Sequence, residues 1–275
     1  MSGSPGDAGS AARLDVELVT RGLARSRNHA ATLIRAGRVS VDGRALVKAS
    51  ASVTADQTIE VDSADAYVSR AAHKLVGALD AFDIDPTGLV CLDAGASTGG
   101  FSQVLIERGA ALVIAVDVGH GQLSPALESE IRAGRLVSLE GVNVRELTPG
   151  TLEPHLGGRA IGLVVADLSF ISLTLVLPAL TASAPGADLV VLVKPQFEVG
   201  RGGVREGIVR DAKLRVEAVE GVLWAAHDAG LGVAGLAASP ILGTHGNVEF
   251  LALLSPGRGG SPSEWTARIA ELAGG

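Results

Sequence analysis

The feature that most constrains this chain is a series of apolar runs of strand length, recurring from about residue 68 onward and separated by helix-length stretches. The runs are Leu89–Asp93, Leu112–Asp117, Leu136–Leu139, Ile161–Asp167, Leu189–Lys194, Leu231–Leu236 and Val248–Leu254. They are nearly continuous Val, Ile and Leu, without the polar alternation of a strand that has one wet face. Strands of this kind must be covered on both sides, and a chain that alternates them with helices builds a mostly parallel sheet between two helical layers. The clearest helical stretch between them is Val209–Ala229. With 47% hydrophobic but only 3% aromatic residues, the core must be aliphatic.

The first quarter has a different rhythm. Residues 1–12 are Gly, Ser, Ala and Pro with little to bury, and are expected to be disordered. Leu14, Val16, Leu18, Val19 and Leu23 predict a first helix ending near Gly22. Ser26 can cap a second helix through Ala36, with Gly37 as its stop. Val39 to Arg44 alternates around Asp42-Gly43, a hairpin signal, and Thr58–Val61 returns as a short strand. The organisation read from this is a disordered stretch over 1–12, a small α+β domain over 13–61, a linker over 62–68, the large α/β domain over 69–256, and a tail over 257–275 that can hold a helix.

Charge and cysteine count narrow the function. The net charge of −7 disfavours nucleic acid as a partner, but its distribution reverses that reading. Between residues 21 and 44 stand Arg21, Arg25, Arg27, Arg35, Arg38 and Arg44 against the single acid Asp42, so the small domain is the candidate phosphate-binding surface. The single cysteine, Cys91, excludes an intrachain disulfide and a multi-cysteine zinc site. No signal peptide and no apolar run of membrane-spanning length is visible, which reads as a cytoplasmic protein without a membrane partner.

A cofactor loop follows the first strand of the large domain. Leu89–Asp93 runs into Ala94-Gly-Ala-Ser-Thr-Gly-Gly-Phe101 and then a helix, so a ligand can approach the backbone and the helix N-terminus. Asp117, closing the next strand, suits hydrogen bonds from ribose hydroxyls. A dinucleotide needs glycine where its pyrophosphate presses on the backbone. Ser97 stands there, and Asp93 before the turn would repel a diphosphate. An acid-flanked loop suits a cationic nucleoside, and S-adenosylmethionine carries a sulfonium and an ammonium.

The lysines mark the candidate chemistry. Of 23 basic residues only Lys48, Lys74, Lys194 and Lys213 are lysine. A lysine can lose its proton when desolvated and an arginine cannot, so lysines in apolar surroundings draw notice. Lys194 closes one strand run and Asp167 its neighbour, at the ends where open α/β sheets carry their sites. Glu249 opens the last strand, and Lys74 lies on the helix entering the domain. His73, His120 and His245 are weaker candidates to line the cleft, without metal-ligand spacing.

Leu92–Phe101, Ala115–Leu123, Val165–Ser172, Val193–Glu198 and Ser239-Pro-Ile with Gly246–Phe250 together resemble the TlyA family over about residues 13–255. The resemblance implies an N-terminal S4-type RNA-binding domain and a Rossmann-like class I methyltransferase domain of the FtsJ/RrmJ type, with a seven-stranded, mostly parallel sheet. It also implies S-adenosylmethionine-dependent 2′-O-methylation of rRNA cytidine, with ribosomal RNA or ribosomal subunits as partner and no metal. Members are often labelled hemolysins. By motif the family's Lys-Asp-Lys-Glu tetrad falls on Lys74, Asp167, Lys194 and Glu249, with Lys194 as general base, and its cofactor motifs on Asp93, Gly95, Ser97, Gly99, Phe101 and Asp117. The chain departs from the family at Ala71-Ala72, where Gly-Gly is usual, and at Tyr67, where Trp is common. Three other classes are weighed against this reading: an RNA-binding factor with an inactive methyltransferase domain, a membrane-lytic protein, and a base methyltransferase.

Overall fold

The computed structural model describes residues 12–24, 27–35, 37–61, 67–243 and 246–274. Arg25, Ser26, Ala36, His245, residues 1–11 and residues 62–66 of the linker lie outside the described residues. The chain divides into two compact units, residues 1–66 and 67–275.

In the small unit, helices α1 (Leu14–Thr20) and α2 (Arg27–Arg35) pack on short strands. The hairpin β2 (Val39–Val41) and β3 (Arg44–Ala45) turns at Asp42 and Gly43, both with positive φ, as an Asp-Gly turn requires. Strand β5 (Ile59–Val61) pairs with the other edge of β2. A second pairing, β1 (Ala12–Arg13) with β4 (Ser52–Val53), consists of two-residue strands too short to leave a periodic signal. Leu14, Leu18, Ile34, Val39 and Val53 form the core.

The large unit is built on a seven-stranded sheet. Its strands are β6 (Val90–Ala94), β7 (Leu112–Asp117), β8 (Leu136–Glu140), β9 (Ile161–Ala166), β10 (Asp188–Val193), β11 (Gly232–Ala238) and β12 (Phe250–Ser255), in the order β11-β12-β10-β9-β6-β7-β8. All neighbours are parallel except β12, which runs antiparallel to both β10 and β11. Successive strand residues feed opposite faces. Cys91, Val113, Leu163 and Val190 pack with helices α3 (Ala72–Phe82) and α4 (Gly100–Glu107). Leu92, Ile114, Val164 and Val191 pack on the other face. That face is covered by α6 (Pro149–Leu156), α7 (Leu173–Ser183), α9 (Ala212–Asp228) and α10 (Thr266–Ala273), while α5 (Glu128–Arg132) precedes β8.

The ends of the elements differ from the sequence expectation where function begins. Strand pairing stops one residue before Asp167 and before Lys194, and β12 starts one residue after Glu249. Lys194 is instead the N-cap of a single turn, α8 (Pro195–Glu198). Helix α9 begins at Ala212 rather than Val209, because Asp211 caps it by accepting the Lys213 N–H and the buried Val209 donates its N–H to Asn247 Oδ1.

Candidate active site

The register brings the candidate residues to one edge of the sheet. Ala94 and Val191 are both paired with Ala166, so β6, β9 and β10 end side by side. Val193 faces Phe250, which puts Lys194 and Glu249 opposite each other one step beyond the last pair. No spacing in the sequence specifies this meeting. It follows from β12 entering between β10 and β11.

Between β6 and α4 the loop turns under tight constraint. Gly95 has φ +86°, and a Cβ there would lie 2.8 Å from Leu168 Cδ2 and 3.0 Å from the Asp167 carbonyl oxygen. Only glycine meets both conditions. Ser97 also adopts the left-handed region, at φ +48°, and donates its N–H to Asp117 Oδ2 at 2.8 Å. Asp117 Oδ1 accepts the Gly119 N–H at 2.7 Å, so this carboxylate braces the cofactor loop from the neighbouring strand. Gly99 caps α4 against Leu123 and Leu127.

Two cavities adjoin the loop. One of about 580 Å³ is lined by Gly95, Ser97 and Asp117, by apolar Val118, Val142, Val144 and Ile171, and by Asn143, Asp167 and Phe170. Its size and its apolar walls with a few polar groups are those of a nucleoside-sized ligand site. The other, of about 150 Å³, lies between Ser69, the loop, Phe101, Asp167, Ser169 and Lys194. Val118, Asn143, Val144, Ser69 and Ser169 escaped the sequence reading because they stand in ordinary loop contexts. Only the folded strand ends gather them.

Asp93 lines neither cavity. It is fully buried beneath the loop, where Oδ2 accepts from Ser102 Oγ at 2.6 Å and Oδ1 has no hydrogen-bond partner. Burial pushes its pKa up to about 7. The Ser102 hydroxyl opposes that shift, and the carboxylates of Asp167 and Asp117 reinforce it.

The four tetrad residues form two pairs. Lys74 donates to Glu249 Oε2 at 2.6 Å, with both side chains more than nine-tenths buried. Gly243 leaves the room for that carboxylate, since a Cβ at this position would run into it. The Lys194 ammonium lies 2.7 Å from Asp167 Oδ1 and donates a hydrogen bond to Ser169 Oγ at 2.9 Å. Asp167 Oδ1 meets the ammonium as an ion pair and accepts no other hydrogen bond. Glu249 is thus engaged with Lys74, and Asp167 with Lys194.

Phe170 is 91% exposed with φ +66°, and its ring lies 5.3 Å from that of Phe197, which in turn lies 5.9 Å from Lys194 Nζ. Ala71 and Ala72 adopt the first helical turn without strain, and Ala72 is completely buried against the loop side of Gly100. His73 packs edge-on to Tyr67, and His120 covers Gly141.

The arginines of the small unit differ among themselves. Arg21 is committed internally, to Glu17 and to the carbonyl oxygens of Thr54, Ala55 and Gln57. Arg27 reaches Asp15 at 3.0 Å but stays 61% exposed. Arg35 and Arg44 are exposed, and Arg38 is half-buried.

This geometry is that of a Rossmann-like transferase with a nucleoside-sized cleft beside a buried lysine. The chain matches the FtsJ-like methyltransferase family over residues 67–255 and the S4 domain over residues 12–59. It belongs to the FtsJ-like methyltransferases, in the TlyA branch that carries an S4 domain. It is 54% identical over 247 residues to the 16S/23S rRNA (cytidine-2′-O)-methyltransferase TlyA of Mycobacterium tuberculosis, covering 88% of this chain and 89% of that protein. Hemolysin A of Brachyspira hyodysenteriae is 36% identical over 242 residues, 87% of this chain and 98% of that one. A solved structure of a hemolysin-named protein from Streptococcus thermophilus superposes with a TM-score of 0.70 at 36% identity, covering 95% and 96% of the two chains. Among the described residues no helix is long and apolar enough to cross a membrane.

Proposed function

We propose that this chain transfers a methyl group from S-adenosylmethionine to a cytidine ribose 2′-hydroxyl of 16S or 23S rRNA, with Lys194 accepting the hydroxyl proton. The observation that carries the reading is Lys194 itself, an almost fully buried amine that lines the small cavity beside the glycine loop and is held by Asp167 and Ser169. The donor set fits the cofactor: the large cavity takes a nucleoside, and Asp167, which lines both cavities, brings a carboxylate to their shared wall for a cationic group. Asp117 would hold the ribose hydroxyls, since each of its oxygens accepts one backbone N–H and retains a second lone pair. Asn143 and Val144 would border the base.

When bound, S-adenosylmethionine supplies an electrophilic methyl on its sulfonium. The residues of this chain then have two tasks. They align the hydroxyl oxygen for in-line attack, which is a positioning problem, and they take its proton. For this step Lys194 must first release a proton; its amine form then accepts the hydroxyl proton as the O–C bond forms and the C–S bond breaks. Asp167 holds the resulting ammonium. Lys74, tied to Glu249, presents a fixed positive charge to ribose or phosphate. The S4-type unit supports an RNA substrate through its exposed arginines.

Mapping 2′-O-methylation across rRNA from cells with and without the chain tests the reaction, and loss of no cytidine methylation overturns it. Lys194→Arg keeps the charge but removes the base, and is expected to slow single-turnover methyl transfer by about 10²–10⁴-fold. Cofactor and rRNA affinity should be nearly unchanged. A normal rate in this variant would assign the lysine to electrostatics alone.

A further inference from the structure

Two loops meet at the candidate site, and they are joined twice. The first loop, Asp167–Ser172, connects β9 to α7, and the second begins at Lys194 and forms α8. One junction is Lys194, which reaches Asp167 and Ser169. The other is Glu198, one helical turn later. Its Oε1 accepts the Leu173 N–H at 2.9 Å, and its Oε2 accepts from Ser172 Oγ. The α8 turn is itself closed, by Phe197 N–H to the Lys194 carbonyl and Val199 N–H to the Pro195 carbonyl, so the spacing from Lys194 to Glu198 is fixed.

Between the two junctions sits Phe170, with its left-handed backbone and exposed ring against Phe197. A non-glycine residue keeps that conformation only where its surroundings over-determine it. Here the loop is pinned at both ends, at Asp167 by β9 and Lys194, and at Ser172 and Leu173 by Glu198. Glu198 is largely withdrawn from water, and burial raises its pKa against the pull of the Leu173 N–H and the Ser172 hydroxyl. A carboxylate half-buried to cap a helix that Ser172 already caps through Thr174 is more than α7 alone needs.

We propose that Glu198 is a positioning residue for methyl transfer: by tethering Ser172 and Leu173 to the α8 turn, it holds the Asp167–Ser172 loop in register with Lys194. The inference rests on the methyl-transfer reading above, but the tether can also be read without turnover. In Glu198→Ala, hydrogen exchange at residues 170–174 should accelerate while the rest of the sheet keeps its protection. Single-turnover methyl transfer should fall about 10–100-fold, as for a displaced catalytic constellation. Cofactor affinity should weaken less than the rate falls, because Glu198 itself lines neither cavity and acts only through the loop that does. Glu198→Gln keeps an acceptor for the Leu173 N–H and replaces the oxygen that accepts from Ser172 Oγ with an amide NH2 that can donate to it, and should recover most of the rate.

Ser172→Ala cuts half of the tether. Combined with Glu198→Ala, it should add less than its own separate effect, since both remove one unit. If Glu198→Ala does not fold, Ser172→Ala alone is read in the same two assays, where it should accelerate exchange at residues 170–174 and slow transfer. Unchanged exchange at residues 170–174, or a rate within twofold of wild type in a wild type that does methylate, overturns the tether. So does a Glu198→Gln variant as slow as Glu198→Ala, or fully multiplicative losses in the double variant. Failure of the wild type to methylate rRNA while exchange still responds to Glu198→Ala overturns the reaction and leaves the tether standing.

Discussion

Two aspartates, one in each unit, show how burial of the cation changes what an ion pair does. In the small unit Asp15 is gripped by Arg13 and Arg27, whose side chains are 53% and 61% exposed. The hydrogen bond from Arg13, with Arg27 behind it, holds the Asp15 pKa down to about 2. Asp15 itself is buried, but its arginines remain wet, and their exposed ends can be shared with a phosphate. In the large unit the Lys194–Asp167 and Lys74–Glu249 pairs are nearly withdrawn from water. There each partner's desolvation is offset mainly by the other, and removing one leaves a costly bare charge. The first arrangement suits transient electrostatic contact with a polyanion. The second suits a site whose groups must hold one geometry.

The largest expected effect tests the buried side of this contrast. Lys74→Ala strands Glu249 and should cost about 3–5 kcal/mol in urea unfolding, whereas Lys74→Met with Glu249→Leu should recover most of it. A loss below about 1 kcal/mol in the single variant would show that water reaches the pair, and the contrast between the units would fail.

Asp93 gives the next effect. Its folded pKa, near 7, lies above the ordinary carboxylate value, so the native state holds a proton that the unfolded chain releases. Stability should therefore be highest below about pH 4 for this group, fall as pH rises towards 7, and level off above. Asp93→Asn should remove that slope and stabilise the protein at pH 8 by roughly 2–4 kcal/mol relative to pH 5 behaviour. Parallel urea titrations of both proteins at pH 5 and 8 measure it, and an equal gain at the two pH values would refute it.

The smallest effects divide the arginines of the small unit. Arg21→Ala removes four internal contacts and should lower stability by about 1–2 kcal/mol. Arg44→Ala should leave melting unchanged. It should reduce the slope of log rRNA affinity against log salt by about 0.7–0.9, the signature of one lost phosphate contact. Equal behaviour of the two variants in both assays would erase the distinction between structural and RNA-facing arginines.

The fold was largely written in local pattern. Runs such as Ile161–Asp167 and Leu189–Lys194 tolerate burial on both faces and nothing else, so the layered sheet and nearly every strand were legible to within a residue or two. The candidate residues of the site stood out as well, because a lysine at the end of an aliphatic strand is conspicuous in a chain that otherwise uses arginine. Asp42-Gly43 could be read as a turn because its backbone demand is local. Partnership was a different matter. That Lys74 would pair with Glu249 and Lys194 with Asp167, that Asp93 would be sealed under the loop, and that Arg21 would be consumed inside its own unit are consequences of strand order and register. So is the tether from Glu198 to Ser172. Such contacts join residues tens to hundreds of positions apart, and no periodicity within either segment carries information about the other. The sequence determined which segments must be buried and which residue types could react; only the tertiary structure, by closing β12 against β10, decided which charge faces which.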